Sequence, residues 1–329
     1  MNYIFGPVPS RRLGQSLGID PVPLKTCNWN CVYCQLGRSI PLINARKEYF
    51  PGSEIISEFM AALAAHQPGE IDWITFVGSG ETTLHSGIGW LIREVKSRSD
   101  LPVAVITNGS LLYLPGVREE LLAADAVLPS LDAGNARLYR KINRSWPKLT
   151  FDRLVEGLVT FKQIYQGQFW VEVMLVQGVN DTEEALLEIA EILNLIQPDQ
   201  VHINTPTRPP VEAWVHPPDP QLLALARVIL GEIASVIPPA TGMFDLAGDD
   251  DLVESILGIL TRHPIREQEL FEALERKFPE KVSATLETLR SSGQAQFVDR
   301  NGERFLVAAG ANFPDNSLKT GCNPVTEGK

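Results

Sequence analysis

The sequence predicts an α/β protein built on a mainly parallel β-sheet, with a small separate unit near its C-terminal end. Short apolar segments alternate with amphipathic stretches of helical period through residues 13–233. Strands that alternate with helices favour parallel pairing through right-handed crossovers. Six such strand–helix units can be counted, which is fewer than a closed eight-stranded barrel requires.

The elements of the main domain are predicted from apolar runs and capping residues. Strands are expected at residues 13–19, 71–77, 103–107, 126–131, 169–176 and 200–204. Helices are expected at residues 53–65, 88–96, 117–124, 151–165, 182–194 and 222–233, with Ser53 and Thr182 as N-caps. Residues 205–220 carry six prolines and leave the C-terminal end of the last strand, so they form either a wall or lid of the site or a plain connector.

Residues 249–310 form a separate unit in this pattern. Helices are expected at 251–260, 267–277 and 282–292, and strands at 295–298 and 304–307 around a hairpin turn. Three helices followed by a hairpin resemble a winged helix. The predicted domains are therefore 1–235 as the main domain, 236–248 as a linker, 249–310 as the winged-helix-like domain and 311–329 as a disordered tail.

The composition disfavours several classes of protein. The chain has 329 residues, of which 44% are hydrophobic, and a formal net charge of −11. No run of about 18 apolar residues is present, so no membrane span is expected. The N-terminus lacks the pattern of a signal peptide and the thiols are clustered, so we expect a cytoplasmic protein. The acidic balance disfavours a large nonspecific nucleic-acid surface.

Three cysteines, Cys27, Cys31 and Cys34, stand close together in the sequence. Three thiolates at this spacing can hold three corners of an iron–sulfur cubane and leave one iron without a protein ligand, since a [4Fe–4S] cluster normally takes four cysteines. Zinc is the alternative, but closed zinc sites use four ligands. The one other cysteine, Cys322, lies in a polar tail, and a disulfide framework is disfavoured by the crowding. The motif therefore predicts an open iron–sulfur cluster.

The cysteine loop resembles that of a known superfamily. A CxxxCxxC motif with an aromatic residue before the last cysteine, here Tyr33, is similar to the cluster loop of the radical S-adenosylmethionine (radical SAM) enzymes. The strings 6–14, 18–21 and 34–37 further resemble the branch that is similar to the wyosine tRNA-base synthases. The resemblance covers roughly residues 4–235 and implies a partial (β/α)6 TIM-like barrel. Those synthases carry earlier cysteines for a second cluster, whereas this sequence has none before the motif.

This resemblance implies two cofactors, a [4Fe–4S] cluster on the three cysteines and S-adenosylmethionine (SAM). The open iron would chelate the amino and carboxylate groups of SAM, and one electron would cleave the sulfonium C–S bond. The resulting 5′-deoxyadenosyl radical would abstract hydrogen from an unactivated carbon. No flavodoxin-type domain is recognisable in the sequence. The electron is therefore expected from an external flavodoxin or ferredoxin.

Residues that follow three of the predicted strands are candidates for the SAM pocket. The stretch 78–81 resembles the GGE motif of the superfamily, and its backbone can approach a ligand closely. The stretch 107–109 resembles a TNG sequence that lines the adenosyl pocket, and residues 130 and 132 correspond to ribose-binding positions. By themselves, these residues also suit turns and helix caps. The candidates are Tyr33, Gly78, Ser79, Gly80, Glu81, Thr107, Asn108, Ser130 and Asp132.

Basic and polar side chains near the mouth of the predicted barrel are candidates for substrate binding. The segment 137–148 carries five basic residues, which form either an anion-binding patch or a solvated helix face. Arg11 and Arg12 precede the cysteine loop and add positive charge at the mouth of the predicted barrel. Two polar residues of the last strand share one side, facing either the pocket or the core. The candidates are Arg140, Lys141, Arg144, His202, Asn204 and Arg208, the last as a clamp for a carboxylate or phosphate.

We expect a radical SAM enzyme that modifies tRNA or another macromolecule, with the C-terminal unit helping to capture the substrate. The alternative is the same chemistry on a peptide or protein. An alternative of another class is an iron–sulfur sensor that regulates transcription through the winged helix. Residues 249–310 hold 12 acidic and 8 basic side chains, whereas a DNA-reading module should be basic. The sequence therefore favours the enzyme.

We expect anaerobically reconstituted protein to hold about four irons and four sulfides per chain. The Cys31→Ala variant should lose the cluster because one of the three thiolates is removed. The Cys322→Ala variant is the control and should keep its iron. Iron and sulfide analysis, with absorbance spectra before and after reduction, checks both. A Cys31→Ala protein with a full, reducible cluster would contradict the assignment.

Overall fold

The main domain is organised around one eight-stranded sheet. The structure, a computed structural model, describes residues 3–238, 252–300 and 302–311. The strands follow one another in chain order; the first two pair antiparallel and every later neighbour pairs parallel. Among the described residues the last strand does not pair with the first, so the sheet is an open, partial barrel. The strands are β1 (Ile4–Ser10), β2 (Gly14–Ile19), β3 (Trp73–Phe76), β4 (Val103–Thr107), β5 (Ala126–Pro129), β6 (Gln168–Met174), β7 (Gln200–Asn204) and β8 (Ala234–Val236).

Helices connect the parallel strands. The Thr182 side chain accepts a hydrogen bond from the N–H of Ala185, which confirms its predicted role as an N-cap. Ser53 is not an N-cap, because its helix already begins at Gly52 with Pro51 before it. The helices are α1 (Gly52–Ala64), α2 (Ile88–Lys96), α3 (Pro115–Leu121), α4 (Ala136–Ile142), α5 (Phe151–Ile164), α6 (Glu183–Ile196) and α7 (Pro220–Leu230).

The two faces of the sheet serve different purposes. Side chains alternate between the faces of a strand, and one set, which includes Leu17, Ile74 and Val105, joins the helices in the main core. The other set lies inside the partial barrel and closes its lower part with apolar side chains. This inner cluster comprises Leu13, Ala104, Ala126 and Leu128, with Trp73, Ile106 and Trp170 packed against it.

Two strands of the sheet were not expected from the sequence. β1 contains Gly6, Pro7 and Pro9, which argue against a strand, but an edge strand tolerates proline because one side makes no ladder bonds. β8 is three residues long, too short for a periodicity signal. It occurs because α7 ends at Leu230, before Gly231 at φ +95°, rather than at residue 233.

The C-terminal unit has the predicted order of helices and strands. A short additional strand pairs with the hairpin and gives a three-stranded antiparallel sheet. Its assignment as a winged helix, and the predicted domain boundaries, stay predictions. Most of the predicted linker and nearly all of the predicted tail lie outside the described residues. The elements are α8 (Leu252–Leu260), β9 (Ile265–Arg266), α9 (Glu267–Lys277), α10 (Val282–Ser291), β10 (Ala295–Arg300) and β11 (Glu303–Ala308).

The C-terminal unit packs directly on the partial barrel. Phe5 and Val8 of β1 belong to the same buried cluster as the apolar side chains of α8, α9 and α10. Nε of Arg262 lies 2.8 Å from Oδ2 of Asp20, at the end of β2, and both side chains are buried. The guanidinium of Arg262 also stacks on the ring of Phe5 at 5.1 Å. Apolar packing and a buried ion pair therefore both hold the unit on the partial barrel.

Within the described residues, no helix combines the length and the apolar character needed to cross a membrane.

We expect the Arg262→Met substitution to lower the free energy of unfolding by about 3 kcal/mol, because it leaves the buried Asp20 carboxylate without its cation. Arg290→Met is the matched control. Its ion pair with Glu267 is half-exposed, so its loss should cost no more than about 1 kcal/mol. Urea unfolding of the full chain measures both changes, and equal effects of the two variants would contradict a buried, structural ion pair.

Candidate active site

The three cysteines and the loop of Gly78, Ser79 and Gly80 line a single cavity of about 330 Å³. The cavity lies at the C-terminal ends of the parallel strands, since the loop follows β3 and the last residues of β6 and β7 also line it. This is the end of a barrel-type fold where catalytic groups are found. A volume near 300 Å³ suits a small-molecule ligand.

Each of the three sulfurs lies near a hydrogen-bond donor. Nζ of Lys25 is 3.0 Å from the sulfur of the third cysteine, and the backbone nitrogen of Trp29 is 3.4 Å from that of the first. Nδ2 of Asn143 is 3.7 Å from the sulfur of the second. Donors directed at sulfur stabilise the negative charge of metal-bound thiolates. This donor set fits an iron–sulfur cluster held by the three cysteines.

Burial disfavours the charged form of the thiols when no metal is bound. It raises the pKa of Cys27 to about 12 and the pKa of Cys31 well above its usual range, where the Asp132 carboxylate adds to the effect. A metal reverses this preference, since a coordinating thiol is deprotonated outright. Among the described residues, no three or more His, Cys, Asp or Glu side chains are gathered closely enough to hold one metal ion. An iron–sulfur cluster does not require the thiolates to meet at one ion, because each thiolate binds a separate iron.

The glycine loop is anchored to the end of β2 and to the cysteine loop. Oδ2 of Asp20 accepts hydrogen bonds from the N–H of Ser79 at 3.1 Å and from its hydroxyl at 2.8 Å. A Cβ on Gly78 would lie 2.1 Å from Oδ1 of Asp20, and one on Gly80 would lie 2.0 Å from the carbonyl oxygen of Thr26. The sequence explained these glycines by close approach to a ligand. They line the cavity, but the side that lacks a Cβ faces protein, so close packing requires glycine there.

Glu81 lies behind the glycine loop, 2% exposed, and does not line the cavity. Its Oε1 accepts hydrogen bonds from the N–H of Thr83 at 3.0 Å and from the hydroxyl of Thr107 at 2.6 Å. Its Oε2 accepts one from the N–H of Asn108 at 2.7 Å. The carboxylate therefore joins the loop after β3 to the loop after β4.

The loop after β4 is bound in turn to the cysteine loop through amide side chains. Nδ2 of Asn108 donates to Oδ1 of Asn28 at 2.7 Å, and Nδ2 of Asn28 donates to the hydroxyl of Ser110 at 3.0 Å. Asn28 is fully buried. Buried polar groups that are satisfied in this way fix one arrangement of the backbone. The network therefore holds the first cysteine in register with the pocket wall.

The Asp132 carboxylate accepts three hydrogen bonds from the described part of the chain. Its Oδ2 accepts from the hydroxyl of Tyr33 at 2.5 Å and from Nδ2 of Asn143 at 2.6 Å, and its Oδ1 accepts from the N–H of Met174 at 2.8 Å. Burial raises the pKa of Asp132 to about 6. These contacts position Tyr33, which lines the cavity. Ser130 and Asp132 both lie outside the cavity lining, and ribose binding by either residue stays a prediction.

The proline-rich segment 205–220 packs against the cysteine loop and is therefore more than a plain connector. The backbone N–H groups of Val211 and Glu212 donate to carbonyl oxygens of the cysteine loop at 3.0 and 3.2 Å. Oε1 of Glu212 lies 2.5 Å from Nη1 of Arg144 and 3.1 Å from Nη2 of Arg38. Arg144, a predicted substrate residue, is therefore engaged in a structural ion pair.

The other predicted substrate residues divide between the cavity and the rest of the molecule. Asn204 and Arg208 line the cavity. Arg140 and Lys141 are exposed on α4 and lie outside the lining. His202 lies lower in the barrel, where its ring packs on a β6 tryptophan at 5.5 Å and burial lowers its pKa to about 4. This placement agrees with the core alternative for His202.

Several residues of the site were missed by the sequence interpretation. Lys25 and Asn28 are adjacent in sequence to the first cysteine, and that proximity was the available signal. Asp20 lies within the string 18–21 that carried part of the resemblance. Glu172 lines the cavity from β6 and pairs with Arg12 at 2.7 Å, but an isolated acidic residue in a strand carries no recognisable signal.

Several known proteins are similar to this chain. Residues 22–190 match the family described as the Radical SAM superfamily. The UPF0026 protein MJ1312 of Methanocaldococcus jannaschii is 34% identical over 280 residues, which cover 84% of this chain and 87% of that relative. A protein named GTPase Obg from Brachyspira hyodysenteriae is 47% identical over 205 residues, 62% of this chain, but the chain spans only 30% of that relative's length. A solved structure of TYW1 with a lysine-pyruvate adduct superposes with a TM-score of 0.45 at 13% identity and covers 91% of this chain and 81% of that one.

We expect the Gly80→Ala substitution to reduce iron binding and to lower the free energy of unfolding by about 1–3 kcal/mol. The reason is that the added methyl group displaces the backbone at Thr26, next to the first cysteine. Gly116→Ala is the matched control. Position 116 lies in α3 with no atom within 4 Å of the new Cβ, so its stability should stay equal or rise by less than about 1 kcal/mol. Iron analysis and urea unfolding measure both, and normal iron content in Gly80→Ala would contradict the packing argument.

Proposed function

This chain belongs to the Radical SAM superfamily, and we propose that it cleaves SAM reductively to begin a hydrogen abstraction from its substrate. The observation that carries the proposal is the single cavity that unites the three cysteines with the glycine loop. From their resemblance to the family's motifs, we assigned the cysteines to the cluster and the glycine loop to SAM. Their meeting at the C-terminal ends of parallel strands supports that assignment.

Cys27, Cys31 and Cys34 would hold a [4Fe–4S] cluster, which supplies the electron that breaks the sulfonium C–S bond and leaves methionine and a 5′-deoxyadenosyl radical. Lys25 places a positive charge beside the third cysteine. Although burial opposes this charge, the neighbouring sulfurs raise the pKa of Lys25. A fixed cation at this distance stabilises negative charge on a metal-bound sulfur.

The chain also contributes orientation and the exclusion of water. The hydrogen bonds accepted by the Asp20 and Glu81 carboxylates hold the loops after β3 and β4 in one arrangement, so the pocket wall needs little reorganisation when ligand binds. Apolar side chains of Phe5, Leu36 and Ile106 line the same cavity. An apolar lining keeps water and exchangeable protons away from a reactive radical.

The substrate class stays a prediction from the resemblance: tRNA or another macromolecule, with a peptide or protein as the alternative. The C-terminal unit reaches the cavity through His263, which lies directly after Arg262. This contact supports a role for the unit beside the reaction site rather than as a distant binding module.

We expect the iron-loaded, dithionite-reduced protein to convert SAM into methionine and 5′-deoxyadenosine, slowly and without added substrate. Chromatography of the nucleoside product measures this, and the Cys31→Ala protein is the negative control. A protein that accepts and returns electrons reversibly but forms no 5′-deoxyadenosine would instead support the iron–sulfur sensor.

A further inference from the structure

The Arg11-Arg12 pair of the sequence has no role in the chemistry described so far, yet both residues line the cavity. Four other residues of cationic type converge on the same region. Lys25, Arg208 and His263 line the cavity, and Arg262 lies next to it. The protein as a whole carries a net charge of −11. This local concentration of positive charge therefore runs against the overall composition.

Three of these cations have close partners inside the protein. Nη1 of Arg12 lies 2.7 Å from Oε1 of Glu172, and Nε of Arg262 lies 2.8 Å from Oδ2 of Asp20. Lys25 faces a cysteine sulfur at 3.0 Å. Buried charges are normally compensated in this manner.

Among the described residues, Arg11 and Arg208 have no carboxylate of their own, since Glu172, whose charge acts on Arg11, is paired with Arg12. Within residues 3–238, 252–300 and 302–311, neither guanidinium forms an ion pair, and Nη1 of Arg11 is buried without a hydrogen-bond partner. Nη1 of Arg208 donates only to the neutral Oε1 of Gln35, at 3.2 Å. Glu269, whose charge acts on Arg208, is itself paired with Arg266 at 2.7 Å.

The two guanidiniums also repel one another. Burial and the charge of Arg11 lower the pKa of Arg208 to about 10. Burial lowers the pKa of Arg11, and the adjacent Arg12 adds to the effect. Such an arrangement costs free energy in the absence of an anion, and cationic clusters of this kind serve to bind one.

We infer that Arg11 and Arg208 form an oxyanion subsite that holds a carboxylate or phosphate group of the substrate at the wall of the cavity. This inference rests on the proposed function in one respect, namely that the bound molecule is the substrate. Gln35, directly after Cys34, fixes Arg208 beside the cysteine loop. The anion would therefore anchor the substrate next to the reacting groups.

His263 completes the subsite from the C-terminal unit. Burial lowers its pKa well below the usual value, and the positive charges of Arg208, Arg262, Arg11 and Arg12 act in the same direction. Its ring is therefore neutral, and its Nδ1 is buried without a partner. A neutral imidazole supplies one further hydrogen bond to an oxyanion without adding charge.

The test measures binding of inorganic phosphate and of acetate to the iron-loaded full chain by calorimetry, with and without saturating SAM. We expect saturable binding of one of the two anions, and the preferred anion identifies phosphate or carboxylate as the group recognised. Arg11→Met and Arg208→Met should each weaken that binding about tenfold or more, the effect of losing a charge-assisted hydrogen bond. Arg93→Met, which removes an exposed arginine from the outer face of α2, should leave the anion affinity unchanged.

Urea unfolding distinguishes anion binding from a purely structural role of these arginines. Arg11→Met should unfold at the same or a higher urea concentration than the parent chain, because it removes an unpaired buried charge, whereas a structural arginine would lower the midpoint. If Arg208→Met does not fold, Arg208→Lys replaces it and should weaken anion binding several-fold, since lysine lacks the planar fork.

The inference is overturned if the parent chain binds neither anion, if binding is equal in the arginine variants, or if saturating SAM abolishes it, which would assign the pair to the SAM carboxylate. These outcomes are independent of the nucleoside assay. Anion binding that is lost in the two variants, in a protein that forms no 5′-deoxyadenosine, would leave the subsite standing and remove the proposed reaction.

Discussion

The carboxylate of Asp20 is the point on which the site depends. One oxygen accepts hydrogen bonds from the N–H and the hydroxyl of Ser79 and pairs with Arg262. The other lies where only a glycine fits, at position 78. A single buried anion thus fixes the glycine loop and attaches the C-terminal unit, and removing Arg262 would leave its charge unpaired in a buried surrounding. Its position at the end of β2 explains why the first two strands lie at the edge where the unit docks.

A second constraint is the polar network that surrounds the cysteine loop. Glu81, Asn108 and Asn28 connect the ends of two parallel strands to the first cysteine, while Asp132, Tyr33 and Asn143 connect a third strand end to the second. The carbonyl oxygens of the loop accept hydrogen bonds from the proline-rich segment on the opposite side. A loop of this length has little core of its own. Its geometry is therefore set by satisfied hydrogen bonds from every neighbouring element.

The electrostatics of the cavity contrast with those of the whole chain. The acidic surface disfavours nonspecific binding of polyanions, but the cavity gathers guanidinium groups from the β1–β2 turn, the proline-rich segment and the C-terminal unit. Two of these groups keep their carboxylate partners and two do not. In the proposed anion subsite, selectivity would come from charges inside the cavity, where they are weakly screened, and not from the exposed basic residues on α4.

The sequence by itself determined the periodic order of six strand–helix units and the presence of a small helical and hairpin unit, and the spacing of its three cysteines predicted an iron–sulfur cluster. Each of these is a local property: apolar periodicity, ligand spacing and turn chemistry are all carried by neighbours in the chain. Only the tertiary structure decided that Gly80 is required by Thr26, that Glu81 and Asp132 hold the pocket wall, that His202 lies in the core and that Arg262 reaches Asp20. Those relations join residues from 26 to 242 positions apart or depend on which face of a strand is enclosed. Local sequence patterns do not encode them, because burial and charge pairing are set by the elements that pack around each residue.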